Sequence, residues 1–174
     1  MAITAAARGT NASNSSGTTL TISPSGNFAS GSWGVLVFAV DNSNTGGAAH
    51  NSITVADTNG NTWARRVSGL RNTDGQNGGV ELVIFTTKMN GGTLTTGSTI
   101  TITISTAATA KACNLWEAIP SGGSVLGYVA GSSTSNYGQY PSITTSSITS
   151  GNIVFGGAGV EIGPVTMTAD SDTT

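Results

Sequence analysis

The stretch Asp57-Thr58-Asn59-Gly60-Asn61-Thr62-Trp63 places an acidic or amide oxygen at three alternate positions before a tryptophan. It reads either as a calcium loop or as a tight turn between two strands. An EF-hand loop needs Gly at its sixth position and a bidentate Glu at its twelfth. Counted from Asp57, those positions hold Thr62 and Ser68. The turn is the better reading, and it predicts a hairpin through Asn59-Gly60.

Two registers are available to that hairpin. A two-residue turn pairs Thr58 with Asn61 and splits the apolar residues between both faces. A three-residue loop, a type I turn closed by a left-handed Gly60 that forms a bulge, pairs Asp57 with Asn61 and sets Val55 opposite Trp63. The second register gathers Ile53, Val55, Trp63 and Val67 on one side, with Arg65 as the exception. A slip of one residue would turn that face to solvent, so the three-residue loop is favoured. Asp suits the first turn position, and its side chain can accept from the backbone two residues on. Asp57, Asn59 and Gly60 are therefore structural turn residues.

Outward from this turn the chain reads as strands. Residues 2–8 and 18–23 are weak strand candidates. Trp33–Val40 ("WGVLVFAV") is apolar on both faces and predicts a central, covered strand. Val80–Met89 predicts a second well-buried strand. "STITITIS" alternates, with Ile100, Ile102 and Ile104 inward. "KACNLWEAI" is read as a strand, and "SVLGYVAG" and "NIVFGGAGVEI" complete the set. Nine or ten short strands divided by Gly- and Ser-rich turns predict an all-β antiparallel sandwich, jelly-roll-like in topology. Residues 1–29 read as an N-terminal arm or pair of edge strands that could make an assembly contact, and 30–174 as the sandwich. The polar end "PVTMTADSDTT" suggests a natural chain that continues past Thr174.

Composition narrows the function classes. The chain has 174 residues, enough for one domain, and 8% are charged where about a quarter is usual. With a net charge of −2 and no basic stripe, nucleic acid is not an expected partner. No run reaches the length of a membrane span. The single cysteine, Cys113, excludes an internal disulfide and reads as a small core residue, and one Cys with one His cannot make a Cys/His zinc site. No Walker loop, dinucleotide fingerprint or G-x-S-x-G elbow is present, and no cofactor is expected. No export signal follows Met1. A surface-like composition without such a signal fits a virion protein, made in the host cytoplasm and displayed on the particle.

"SITVADTNGNTWARRV", "VELVIFTTKM", "GSTITITIS", "CNLWEAIP" and "GNIVFGGAGVEI", in that order, resemble a β-sandwich domain of phage virion proteins and bacterial surface proteins. The matching positions are Asp57, Gly60, Asn61, Thr62 and Trp63 in the turn, then Lys88, then Trp116 and Glu117. The resemblance covers most of residues 30–162. It implies display, adhesion or assembly, and no shared catalytic motif.

The carboxylates are Asp41, Asp57, Asp74, Glu81, Glu117, Glu161, Asp170 and Asp172. A glycosidase needs two that converge across a cleft. Glu81 and Glu117 lie on separate predicted strands and could be neighbours, but burial beside Arg or Lys is the favoured reading. His50 would need Ser and Asp partners to form a triad. Trp33, Trp63 and Trp116 sit in apolar strand patterns and read as core. Tyr137 and Tyr140 lie instead in the polar loop "STSNYGQYPS". With Asn42, Asn44 and His50 in the loop 41–51, they are the candidate interface or glycan contacts, because loop tips on a rigid sandwich carry function. The expected role is a non-enzymatic virion component, either capsid decoration or a head-fibre base. A tail-fibre or tail-associated adhesion module and a carbohydrate-binding module are the alternatives. The expected partners are capsid or tail proteins, further copies of the chain (a trimer suits such proteins), and a host surface glycan.

Overall fold

The computed structural model describes residues 3–41, 52–72, 79–121, 153 and 155–157. These form eight strands and no helix: β1 (Ile3–Ser13), β2 (Gly17–Ile22), β3 (Trp33–Asp41), β4 (Ile53–Asp57), β5 (Ala64–Asn72), β6 (Gly79–Lys88), β7 (Ile100–Ala108) and β8 (Lys111–Pro120). Every ladder is antiparallel. One sheet has five strands in the order β1-β8-β3-β6-β5, and the other has three in the order β2-β7-β4.

That order is a rolled hairpin. β1 pairs with β8, β2 with β7 and β3 with β6, so the chain's two halves run side by side and wrap into two layers. This is the jelly-roll arrangement the strand pattern predicts. The remaining pair, β4 with β5, would form the tip of the roll.

At the tip the structure departs from the sequence reading. β4 pairs with β7 in one sheet and β5 with β6 in the other. Asp57–Trp63 is therefore an arch between layers, and neither hairpin register forms. Val55 faces Ile102 across its ladder, and not Trp63. Both Ile53 and Trp63 still reach the core, but from opposite sides of the roll. Val67 does not join them. The β5–β6 register shifts between Arg65 and Val67, so Arg66 is an extra residue and Val67 stands opposite Ile84 on the outer face. A bulge reverses the alternation that follows it.

The core lies between the two sheets. Leu36, Phe38, Val83, Leu115, Ile100 and Ile102 are fully buried there. In β7 the isoleucines point inward, while Thr103 is exposed on the opposite face. β6 buries Glu81, Val83, Phe85 and Thr87, and its alternate residues Leu82, Ile84 and Thr86 are half-buried. β3 is covered on both faces: Val35 and Val37 point away from the core yet are 4% and 7% exposed. Their cover includes the 155–157 segment. The Phe155 ring lies 6.4 Å from that of Trp116, and a Cβ at Gly157 would run into Val37 Cγ1.

Among the described residues there are eight strands, where nine or ten were expected of the whole chain. The strand expected at 124–131 lies outside the described residues. Of 152–162, Ile153 and Phe155–Gly157 are described and are not in a strand. At the other end, β1 is longer than its weak signal suggested and extends to Ser13. Its partner β8 supplies the missing order, because it offers a full-length ladder from Lys111 to Pro120.

Candidate functional site

Asp57 organises the arch. Its Oδ1 accepts from the backbone amides of Asn59 (2.9 Å) and Asn61 (3.2 Å) and from Asn61 Nδ2 (3.3 Å). Its Oδ2 accepts from Trp63 Nε1 at 2.8 Å. The Gly60 amide donates to the Asp57 carbonyl at 3.3 Å, and Gly60 takes φ +74°, a left-handed conformation that suits glycine. These carboxylate oxygens meet N–H donors, which is the chemistry of a turn and not of a calcium loop.

The arch then locks onto the segment after β6. Buried Asn61 accepts from the Gly91 amide at 2.9 Å and donates to the Gly92 carbonyl at 2.9 Å. Asn59 donates to the Thr93 carbonyl and accepts from Ser98 Oγ, each at 2.9 Å. Gly91 lies so close that a Cβ there would sit 2.7 Å from the Gly60 carbonyl oxygen. Amide side chains serve here because one group both donates and accepts, closing a backbone-to-backbone junction at the end of the sandwich.

The buried charges are internal fasteners. Glu117 is fully buried; its Oε2 accepts from Arg8 Nε at 2.7 Å and from Arg8 Nη2, and its Oε1 accepts from the Ala29 amide. Glu81 pairs with Arg65 at 2.9 Å. Lys111 donates from Nζ to the carbonyls of Ser15 (2.9 Å), Gly17 (3.2 Å) and Ala108. The two glutamates are not neighbours. Glu81 is paired with Val40 and Glu117 with Gly34 on the intervening strand β3. Six residues of strand separate them by about 20 Å, too far to flank one glycosidic bond. Burial pushes the Cys113 thiol up to about 11, against a small lowering by a hydrogen bond to the Asn11 backbone.

One cleft opens beside the arch. It has a volume of about 420 Å³ and is walled by Trp33, Thr62, Arg66, Thr86, Lys88 and Asn90, with glycines of the arch and of the 90–91 turn. Arg66 donates from Nε to Thr86 Oγ1 at 2.7 Å, and its guanidinium lies 5.9 Å from the Trp33 ring centre. Trp33 Nε1 is buried with no hydrogen-bond partner among the described residues. The three tryptophans therefore differ. Trp63 packs against the core, whereas Trp33 and Trp116 stand on the outer face of the five-stranded sheet, opposite their inward neighbours Gly34 and Leu115.

Of the residues singled out by sequence, Asp57, Asn59 and Gly60 stand together in the arch. Asn42, Asn44, His50, Tyr137 and Tyr140 lie outside the described residues. Of the cleft residues, Lys88 was noted only as a position of the strand resemblance, and Arg66, Thr86 and Asn90 had no motif to mark them. The available signal was the pair Arg65-Arg66 opposite "TTKMN", but its use requires knowing the bulge. No family model, no curated protein and no solved structure matches the chain.

Proposed function

We propose that the chain is a non-enzymatic structural component of a phage virion, serving as capsid decoration or as the base of a head fibre. It acts by burying surface against the shell or against neighbouring copies. The observation that carries this reading is the outer face of the three-stranded sheet. Thr19, Thr103 and Thr54 form one cross-strand row, and Thr21, Thr101 and Ala56 form the next. No charged side chain interrupts these rows. Short uncharged side chains lose little hydration on contact, whereas buried charges are costly, and interface centres are depleted of charge for that reason. Charges elsewhere are spent inside the fold, as the Arg8–Glu117 and Arg65–Glu81 pairs illustrate.

The jelly-roll order is compatible with this role, since capsid and lectin domains both use it. Fold alone does not assign function, and the resemblance of the turn and strand motifs to phage sandwich domains supplies the rest of the argument. Repeated copies on one particle would multiply modest contacts through avidity. A second reading, adhesion through a tail-fibre or carbohydrate-binding module, is favoured by the cleft beside Trp33 and Arg66.

Cryo-electron microscopy of a phage particle that carries the chain tests the proposal. Ordered copies on the capsid lattice, with the threonine face against a neighbour, are expected. Density confined to the tail would move the assignment to adhesion. Absence from the particle would overturn the virion role.

A further inference from the structure

We propose that Asn90-Gly91 is a site of spontaneous deamidation whose conversion unlocks the arch, and that Asn59-Gly60 converts only afterwards. The inference concerns the arch itself, so it stands or falls apart from the virion role.

The chemistry needs no partner beyond water. In an Asn-Gly pair the glycine backbone nitrogen, having given its proton to solvent hydroxide, attacks Cγ of the asparagine. The N–Cγ bond forms, the Cγ–Nδ2 bond breaks, and ammonia leaves with a proton from water. Water then opens the five-membered imide at either of its carbonyls, giving aspartate or isoaspartate. Glycine speeds the attack because no side chain crowds its nitrogen. The fold imposes both glycines. A Cβ at Gly91 would sit 2.7 Å from the Gly60 carbonyl oxygen, and Gly60 takes φ +74°. The labile pairs are therefore kept for structural reasons. A third pair, Asn77-Gly78, lies outside the described residues.

The two asparagines are held differently. Asn59 is half-buried. Its Nδ2 donates to the Thr93 carbonyl at 2.9 Å, and its Oδ1 accepts from Ser98 Oγ at 2.9 Å and Thr58 Oγ1 at 3.1 Å. That side chain cannot swing onto the Gly60 nitrogen without breaking these bonds, so the arch must open first. Asn90 is exposed just after β6, and its backbone amide donates to the Lys88 carbonyl at 2.7 Å. Among the described residues no hydrogen bond holds its side chain. The Gly91 N–H does donate to Asn61 Oδ1 at 2.9 Å. An N–H bond lies in the peptide plane, however, and attack on Cγ comes from its face.

Conversion at Asn90 acts directly on the arch. Isoaspartate carries the main chain through its side chain and adds one methylene before the Gly91 nitrogen. Asn61 is fixed by the Gly91 amide and the Gly92 carbonyl, each at 2.9 Å. Hydrogen bonds of that length do not survive displacement of a partner by a whole bond. Their loss releases the segment that carries the Thr93 carbonyl, and with it the grip on Asn59. Each conversion also turns a neutral amide into a carboxylate, in a chain that already carries a net charge of −2.

Peptide mass spectrometry of the full chain, aged at mildly alkaline pH, tests the order. In the folded chain Asn90 should convert ten times or more faster than Asn59. In urea, where neither is held, the two should convert at similar rates. Asn90→Gln silences the first site, because its longer side chain would have to close a six-membered ring. It should slow conversion of Asn59 several-fold in the folded chain and leave it unchanged in urea. The isoaspartate form, separated by chromatography, should unfold at a lower urea midpoint. Equal rates at the two sites in the folded chain, or no conversion of Asn90 there, would overturn the proposal. An Asn59 rate that Asn90→Gln leaves unaltered would break the ordered link. An unchanged midpoint for the isoaspartate form would show that the arch does not depend on Gly91.

Discussion

Asp57 gathers four N–H donors from three residues, and each bond is charge-assisted. Replacing it with Asn keeps the shape but swaps one acceptor oxygen for an N–H donor. That donor must face either Trp63 Nε1 or the Asn59 and Asn61 amides. Asp57→Asn should cost about 2–3 kcal/mol, read from urea unfolding followed by tryptophan fluorescence. A loss under about half a kcal/mol would mean that the arch holds without its carboxylate. The turn chemistry was legible in the sequence, because Asp two residues before an amide and Gly at a left-handed position are local preferences. The bond to Trp63 was not, because it depends on where the arch sends the chain. Cys113 offers a second test at this scale. Its buried thiol is raised from 9.0 to about 11, so above pH 9 the unfolded chain releases a proton that the folded chain keeps. Stability should therefore fall as pH rises from about 9 towards 11. Cys113→Ala should flatten the fall, as measured by denaturant midpoints across that window.

Elements with strict alternation could be read directly. β7 and β8 bury every second residue over most of their length, as "TITI" and "KACNLWE" imply. β5 could not, because one extra residue at Arg66 reverses its faces, and a bulge leaves no mark in a hydrophobic pattern. The arch defeated the pattern differently. A hairpin and an arch place the same apolar residues inward, and only the partners of β4 and β5 distinguish them. The fasteners between elements follow the same logic. Glu117 on β8 holds Arg8 on β1 and the Ala29 amide of the β2–β3 loop, so it joins three segments distant in sequence. Burial beside a cation was foreseeable for a Glu in an apolar strand; which cation was not. Glu117→Ala leaves the part-buried Arg8 guanidinium without its carboxylate and the Ala29 amide without its acceptor, and should cost about 3–5 kcal/mol in thermal or chemical unfolding. A cost below about 1 kcal/mol would mean that the pair lies in water-like surroundings.

At the scale of the molecule, the roll makes the first strand as central to stability as the last. The sequence reading took residues 1–29 as an arm or as edge strands, because their strand signals are weak and polar. In the structure they are edge strands: β1 lies along the whole of β8 and β2 borders the facing sheet. Propensity is a local quantity, whereas a ladder is formed with a partner a hundred residues away, and that partner carries the strong pattern. Such distant pairings also imply slow folding, in milliseconds to seconds, since long loops must close before the ladder forms. The two views predict opposite results for a truncation. A detachable arm could be removed and leave a folded domain. A strand of the roll cannot: deleting residues 1–13 would bare the edge of β8 and leave Glu117 buried without Arg8. It would also remove the strand that precedes the Ser15 and Gly17 carbonyls held by Lys111. The shortened chain should therefore lose its cooperative unfolding transition in circular dichroism, and its exposed edge should drive aggregation. A truncated chain that stayed monomeric and melted within a few degrees of the full chain would show that β8 does not need β1. The buried Glu117 would then have to find its counter-charge elsewhere.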